Sequence, residues 1–364
     1  MRLRNIWHDF DWTLFAAIVV LSVISLVEIY SATKNSSIEH NAVFRQLVWV
    51  LIGIVFLFVV AAIDYHTISE HIPWIYVGSI VVLIYTLALG RTVAGSKSWI
   101  VFGSMRFQPS ELVKIVVVVA AARYLSELRN TRYATIEHII KVSLVCGVPI
   151  ILVALQPDLG TTITFLPIIG LGLLVRGIKP LTLAVMIVAF VLALPVAWPF
   201  LGQHQKDRIT NFVNPEHDLK GSGYQVYQSK IAIGSGGVLG KGIFKGSQNQ
   251  LGFLPTRHTD FILSVVGEEM GFVGVAVTLG LLAFILFRSV YTAQTARDEL
   301  GLFVVMGVFG IYMFHVVENV GMVIGFMPMT GIPLPFMSYG GSSILAAFSA
   351  MGLVISVRRR RYVN

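Results

Sequence analysis

Charge is scarce in this chain. Of its 364 residues only 13% are Asp, Glu, Lys or Arg, against 55% hydrophobic, whereas soluble domains carry about 25% charged residues. So little polar material cannot coat a water-soluble body of this size, and a soluble globular enzyme is excluded. Cysteine is nearly absent: the single Cys146 lies in an apolar segment, so no internal disulfide forms and no redox compartment follows. There is no low-complexity tract and no obvious internal repeat. The first apolar run lacks a small-residue cleavage pattern and reads as a retained helix, not a removed signal peptide. The formal net charge of +8 does not call for nucleic acid, because charge in membrane proteins mostly reports orientation.

What is present is length of apolar sequence. Several stretches reach the roughly 18 residues that cross a bilayer core. The pattern predicts an all-α polytopic membrane protein with ten spans, near residues 12–31, 46–63, 74–90, 110–128, 136–155, 159–175, 180–200, 260–287, 300–324 and 340–357. All of 1–364 reads as one membrane domain. Lys and Arg then set its orientation. With the N-terminus inside, the inner segments hold Arg2, Arg4, Arg123, Arg129, Arg132, Lys141, Arg176, Lys179, Arg288, Arg297 and Arg358 to Arg361. The short outer loops hold only Lys34, Arg45, Arg91, Lys97 and Arg106. Both ends are therefore expected in the cytoplasm. The long connection 201–259 falls outside, and a loop of this length is functional or disordered. Its aromatic and aliphatic residues argue against full disorder, so short helices on the membrane surface are expected, for instance near 223–233.

Ionisable residues near or within spans are costly and mark functional candidates. Glu111 and Lys114 open the fourth span at its outer end, Asp158 occupies the outer turn between spans five and six, and Asp260 begins the eighth span. Three elements distant in sequence thus place charge at one level on one side. Each has a structural alternative. Glu111 and Lys114, three apart, share a helix face and can simply pair; Asp158 and Asp260 can each favour a helix start. Glu28, Glu268, Glu269 and Glu318 read as packing or hydrogen-bonding positions. "GSGGVLGKG" fails as a phosphate loop, because Walker A spacing needs glycine at Ser235 and Ser or Thr at Gly242. "PFMSYGGSS" lacks the Gly-x-Ser-x-Gly of a hydrolase elbow.

The motifs "FQPSELVK" (107–114), "QPDLGTT" (156–162), "NFVNPEHD" (211–218), "GYQVYQSKIAIGSGGVLGKG" (223–242), "FLPTRHTDFI" (253–262) and "NVGMVIGFMPMTGIPLPFMSYGGSS" (319–343) run in order along nearly the whole chain. In these the chain resembles the SEDS proteins of bacterial envelopes, the RodA branch more closely than FtsW. "AGSKSWIVFG" (94–103) is similar to the family's Gly-Ala-x-Arg-Trp pattern but has Lys97-Ser98 before Trp99, a departure in its basic residue.

The resemblance implies a ten-helix peptidoglycan glycosyltransferase of the bacterial cytoplasmic membrane, serving cell elongation and shape. Its substrate would be lipid II, a disaccharide-pentapeptide on undecaprenyl diphosphate. It carries the essential carboxylate onto Asp260, the paired charges onto Glu111 and Lys114, and a further cavity position onto Asp158. It also implies a class B penicillin-binding protein transpeptidase as partner, with other elongation-complex proteins such as MreC and MreD. Inverting displacement needs no enzyme nucleophile: one carboxylate that takes the acceptor proton suffices. Positive groups or a metal must hold the departing diphosphate. Arg208, Lys230, Lys241 and Arg257 are the outside candidates, and His258 stands beside Arg257. Asp260 reads either as that base or as ligand to a divalent cation, magnesium or manganese. The rival function is a lipid II flippase, for which a midplane site and internal repeats would be expected.

Overall fold

The computed structural model describes residues 9–34, 41–93, 95–103, 105–127, 133–213 and 221–361. Arg2, Arg4, Arg129, Arg132 and the end of the "NFVNPEHD" motif lie outside the described residues. The chain is a multi-pass membrane protein built from helices. In order these are α1 (Trp12–Thr33), α2 (Ala42–Ala62), α3 (Tyr65–Leu89), α4 (Pro109–Glu127), α5 (Ile136–Ala154), α6 (Leu159–Ile163) and α7 (Leu166–Arg176). There follow α8 (Pro180–Ala197), α9 (Gln203–Val213), α10 (Ser222–Gly236), α11 (Ser247–Gln250), α12 (Ile262–Gln294), α13 (Glu299–Ile324) and α14 (Gly341–Arg359). Among the described residues seven helical segments are long and apolar enough to cross a membrane, counting α6 with α7, and 139–154 and 180–193 are shorter apolar helices. By the same measure α4, with Glu111, Lys114, Arg123 and Glu127, is not among the seven.

Most expected spans have their helix within a few residues. The exceptions have local causes. Residues 65–73, expected as a loop, extend α3, because Asp64 caps it by accepting from the His66 amide at 2.9 Å. The connection 91–107 is a small antiparallel sheet, β1 (Arg91–Val93), β2 (Ser96–Phe102) and β3 (Met105–Phe107). Ile100 faces Phe107 and Val101 faces Arg106 across its second ladder. The sheet is short, and it lays Ser96 and Trp99 against the site while Lys97 reaches back to the Ala88 carbonyl at 2.9 Å.

The centre of the molecule is α14, almost wholly buried and packed most closely on α2. Its small residues allow this: a Cβ at Gly352 would stand 2.8 Å from the Leu57 carbonyl oxygen. Close backbone approach at small residues is how helices associate in lipid, where no hydrophobic force separates protein from solvent. α8 is the opposite case, with Leu181, Val185, Val188, Leu192 and Val196 all exposed; such an apolar face suits lipid contact.

α12 is broken. Gly271 has φ 68° and ψ −162°, a left-handed backbone that glycine adopts without steric cost. The polar groups freed there are taken by residues 237–242. The Phe272 and Val273 amides donate to the Gly237 and Val238 carbonyls, and the Lys241 and Gly242 amides donate to those of Glu268 and Glu269. A helix interrupted in a membrane protein must re-satisfy its backbone in this way. The helix near 223–233 is there as α10, but it packs against α12 and α13 with Ser229 and Ala232 buried. At the opposite end of α12, Arg288 grips Asp11 at 2.8 Å, and Arg358 of α14 meets the same carboxylate at 3.0 Å. Three helices are tied there by one acid.

Candidate functional site

The unit that matters is the turn before α12. Asp260 does not cap that helix: Phe261 occupies the cap position, with no side-chain cap hydrogen bond. Instead the Asp260 amide donates to the Thr256 carbonyl at 3.2 Å, and its own carbonyl accepts from Asn319 Nδ2 at 2.9 Å. The backbone is held from both sides and the carboxylate faces a cavity. Burial pushes its carboxyl up to about 6, against the opposing pull of Arg208 and of a hydrogen bond with Thr259. A helix start would have depressed it. Desolvation wins, and the group titrates close to the range in which a general base works.

The cavity has a volume of about 750 Å³. Its lining brings together Glu111, Asp158, Arg208, His258 and Asp260, five sequence candidates from four separate stretches. Arg208, on α9, is fixed by donating from Nη1 to the Thr330 carbonyl at 2.7 Å and from Nη2 to His204 Nε2 at 3.3 Å. Asp158 serves both of its expected roles. It caps α6 by accepting from the Thr161 amide at 3.1 Å, and it accepts from Gln108 Nε2 at 2.6 Å while lining the cavity. His258 holds its ring 5.4 Å from that of Tyr339 at a tilt of 57°, and the Tyr339 amide donates to the His258 carbonyl.

Glu111 and Lys114 pair at 2.9 Å and are 5% and 3% exposed. Lys114 lies behind Glu111 and also donates to His315 Nε2 at 3.1 Å. An ammonium can only donate, so His315 carries its proton on Nδ1 and donates to the Pro333 carbonyl at 3.0 Å. The triad therefore braces α4 against α13 and against the segment before α14. Removing one member of so deep a pair leaves a bare charge, at about 3–5 kcal/mol.

The other basic candidates stand elsewhere. Lys230 is exposed on α10 near Gly325, Lys241 pairs with Glu268 at 2.7 Å, and Arg257 donates to the Ala32 carbonyl at 2.6 Å. None of the three lines the cavity; Arg45 and Arg106 do. Sequence reasoning also passed over Gln108 and His315. Gln108 lies inside "FQPSELVK", and His315 is an ionisable residue in an apolar span, which is itself a signal. Glu268 and Glu269 are hydrogen-bonding positions as expected. Glu268 accepts from the Gln248 and Asn249 amides, and Glu269 accepts from Ser31, Asn249 and the Phe244 amide.

Among the described residues no group of three His, Cys, Asp or Glu could hold a metal ion. Asp260 has Arg208 as its charged neighbour, and the arrangement does not fit a cation held by the protein alone.

Comparison with known proteins adds an independent line. The family model described as cell cycle protein, FTSW_RODA_SPOVE, matches residues 9–363. The peptidoglycan glycosyltransferase MrdB of Escherichia coli K12 is 39% identical over 265 residues, 71% of this chain and 69% of its own. The peptidoglycan glycosyltransferase RodA of Treponema pallidum is 32% identical over 99% of this chain and 100% of its own. A solved chain from a peptidoglycan synthase complex coordinating polymerization and crosslinking superposes with a TM-score of 0.84 at 31% identity, covering 98% of this chain and 100% of that one. The rod shape determining protein RodA of Thermus thermophilus superposes at 0.73 with 29% identity, covering 98% and 99%.

Proposed function

Because the chain belongs to the cell cycle protein family of FtsW, RodA and SpoVE and is a peptidoglycan glycosyltransferase of that family, we propose that it polymerises lipid II into glycan strands during cell elongation, with Asp260 as general base. The observation that supports this reading most is the convergence of Asp260, Arg208, Asp158, Glu111 and His258 on one cavity. The acceptor hydroxyl attacks the anomeric carbon of the donor sugar. Asp260 takes the hydroxyl proton, the new glycosidic oxygen–carbon bond forms with inversion, and the bond to the lipid diphosphate breaks. A base so placed supplies about 10²–10⁴-fold. Arg208 meets the departing diphosphate through charge-assisted hydrogen bonds. The raised proton affinity of Asp260 suits it to accept the proton at neutral pH.

In this reading the protein sits in the bacterial cytoplasmic membrane with both termini inside and the cavity on the outer side. A class B penicillin-binding protein crosslinks the strands, in company with MreC and MreD. The chain resembles a subunit of a complex that couples polymerization to crosslinking, which supports a transpeptidase partner. The test is strand synthesis from lipid II in detergent by the purified protein with its transpeptidase. Detergent removes the two compartments a transporter needs. Long strands that vanish with Asp260→Asn are expected; a well-folded complex that never links sugars refutes the proposal.

A further inference from the structure

Behind the wall of the cavity, α13 carries an acid that the transfer chemistry has not used. Glu318 is 3% exposed, and its Oε1 accepts the hydroxyl of Thr330. Thr330 is the residue whose carbonyl accepts Arg208 Nη1 at 2.7 Å. Thr330 lines the cavity and Glu318 does not. The next residue, Gly331, lies against both charged groups: a Cβ there would stand 3.7 Å from Asp260 Oδ2 and 3.9 Å from Arg208 Nη1. One turn of α13 fixes this whole strip. Asn319 donates to the Asp260 carbonyl and to the Ile332 carbonyl, each at 2.9 Å.

The long Arg208 side chain must be held in one pose against its rotamer entropy. Its anchor is a carbonyl in an irregular segment, 325–340, which has no helix of its own to fix it. The orientation of that carbonyl is set by the Thr330 side chain behind it, and the acceptor holding that side chain is Glu318.

We propose that Glu318 is a positioning residue for glycosyl transfer: through the Thr330 hydroxyl it sets the carbonyl that seats the Arg208 guanidinium beside Asp260. This rests on the functional reading above. Glu318→Ala removes the acceptor, so the Thr330 peptide turns and Arg208 leaves its pose. Misplacement of a catalytic group by about 1 Å is worth up to about 10²-fold. Accordingly kcat for strand synthesis falls about 10- to 100-fold, with KM for lipid II moving far less.

The test is a set of variants in the full chain with its partner. Thr330→Val, which keeps the carbonyl and loses the hydroxyl, reproduces the loss seen in Glu318→Ala. Glu318→Gln retains an acceptor of the same shape, folds in case the alanine variant does not, and restores kcat to within about threefold. In Arg208→Ala, adding Glu318→Ala has no further effect, because residues acting as one unit are non-additive. Independent, multiplying losses for Arg208→Ala and Glu318→Ala overturn the proposal, as does a wild-type kcat in Thr330→Val. Strand synthesis by the wild type tests the functional reading separately. Each variant is compared with that wild type, so failure of the coupling removes the role of Glu318 and leaves the reading standing.

Discussion

Asp260→Asn separates catalysis from stability in a way the structure makes quantitative. In the folded protein the carboxyl lies at about 6, against an ordinary 3.8. Folding therefore favours the neutral acid. Its contribution to stability is fully present below pH 4 and is lost as pH rises through 6. Above pH 7 the ionised group costs about 3 kcal/mol relative to the unfolded chain. Asparagine keeps the shape and removes that penalty. At pH 8 the variant is expected to melt about 5 °C above the wild type, the two curves meeting near pH 4. Activity runs the other way. Strand synthesis falls about 10²-fold or more in the variant, and in the wild type kcat declines tenfold per pH unit below a midpoint near 6. The assays are gel-resolved glycan synthesis from labelled lipid II and detergent thermal unfolding, each from pH 4 to 9. A variant that retains turnover, or a wild-type profile that stays flat down to pH 4, refutes Asp260 as the base.

Glu111→Gln and Lys114→Met should each lower the unfolding temperature, and the double variant should lose less than the two single losses combined, since it strands no charge; strict additivity in thermal unfolding would contradict the 2.9 Å pair. Arg208→Gln should lower kcat at least tenfold through loss of a charge-assisted contact, whereas Lys230→Gln, exposed and away from the cavity, should leave strand synthesis within twofold; equal effects on turnover would mean the cavity has been drawn in the wrong place. Glu28 is 0% exposed, neither of its oxygens has a hydrogen-bond partner among the described residues, and Glu269 is its charged neighbour. Replacing it with Leu should stabilise the protein by about 1–3 kcal/mol, read as a higher melting temperature, and a lower one would show that Glu28 has a favourable partner.

Most helices were legible in the sequence because apolar length and Lys/Arg punctuation are local signals, although α3 begins at Tyr65, ahead of the expected 74, and α12 runs to Gln294, beyond the expected 287. The breaks were not. Span 159–175 divides into α6 and α7 around Thr164 and Phe165, and α12 breaks at Gly271, where residues far along the chain supply the missing hydrogen bonds. The sheet at 91–107 was illegible for a different reason: its strands are three, seven and three residues long, too short for alternation to register. In the site, the acids were readable because a carboxylate at a span's threshold is costly wherever it points. The bases were not, because a long Lys or Arg side chain can reach in several directions. Only Arg208 of the four proposed turns into the cavity, while Arg45 and Arg106, counted merely as loop charges, line it. Glu318 reads in the sequence as a packing or hydrogen-bonding position, and the return of residues 330–332 against α13 supplies its partner, Thr330.

The break at Gly271 also fixes a height. Arg288, tied to Asp11, marks one end of the span. Counting back at 1.5 Å per residue, the roughly 30 Å of a hydrocarbon core is used up after about 20 residues, close to the break itself. The stretch 262–270 is thus surplus to crossing the membrane and acts as a pedestal. In the function proposed above, it would raise Asp260 toward the headgroups, where a lipid diphosphate resides. A substrate of that kind, arriving by lateral diffusion, would need neither to sink its charged sugar-phosphate into oil nor to pull its tail out of it. In that reading the bilayer itself brings the reacting bond to the height of the acid.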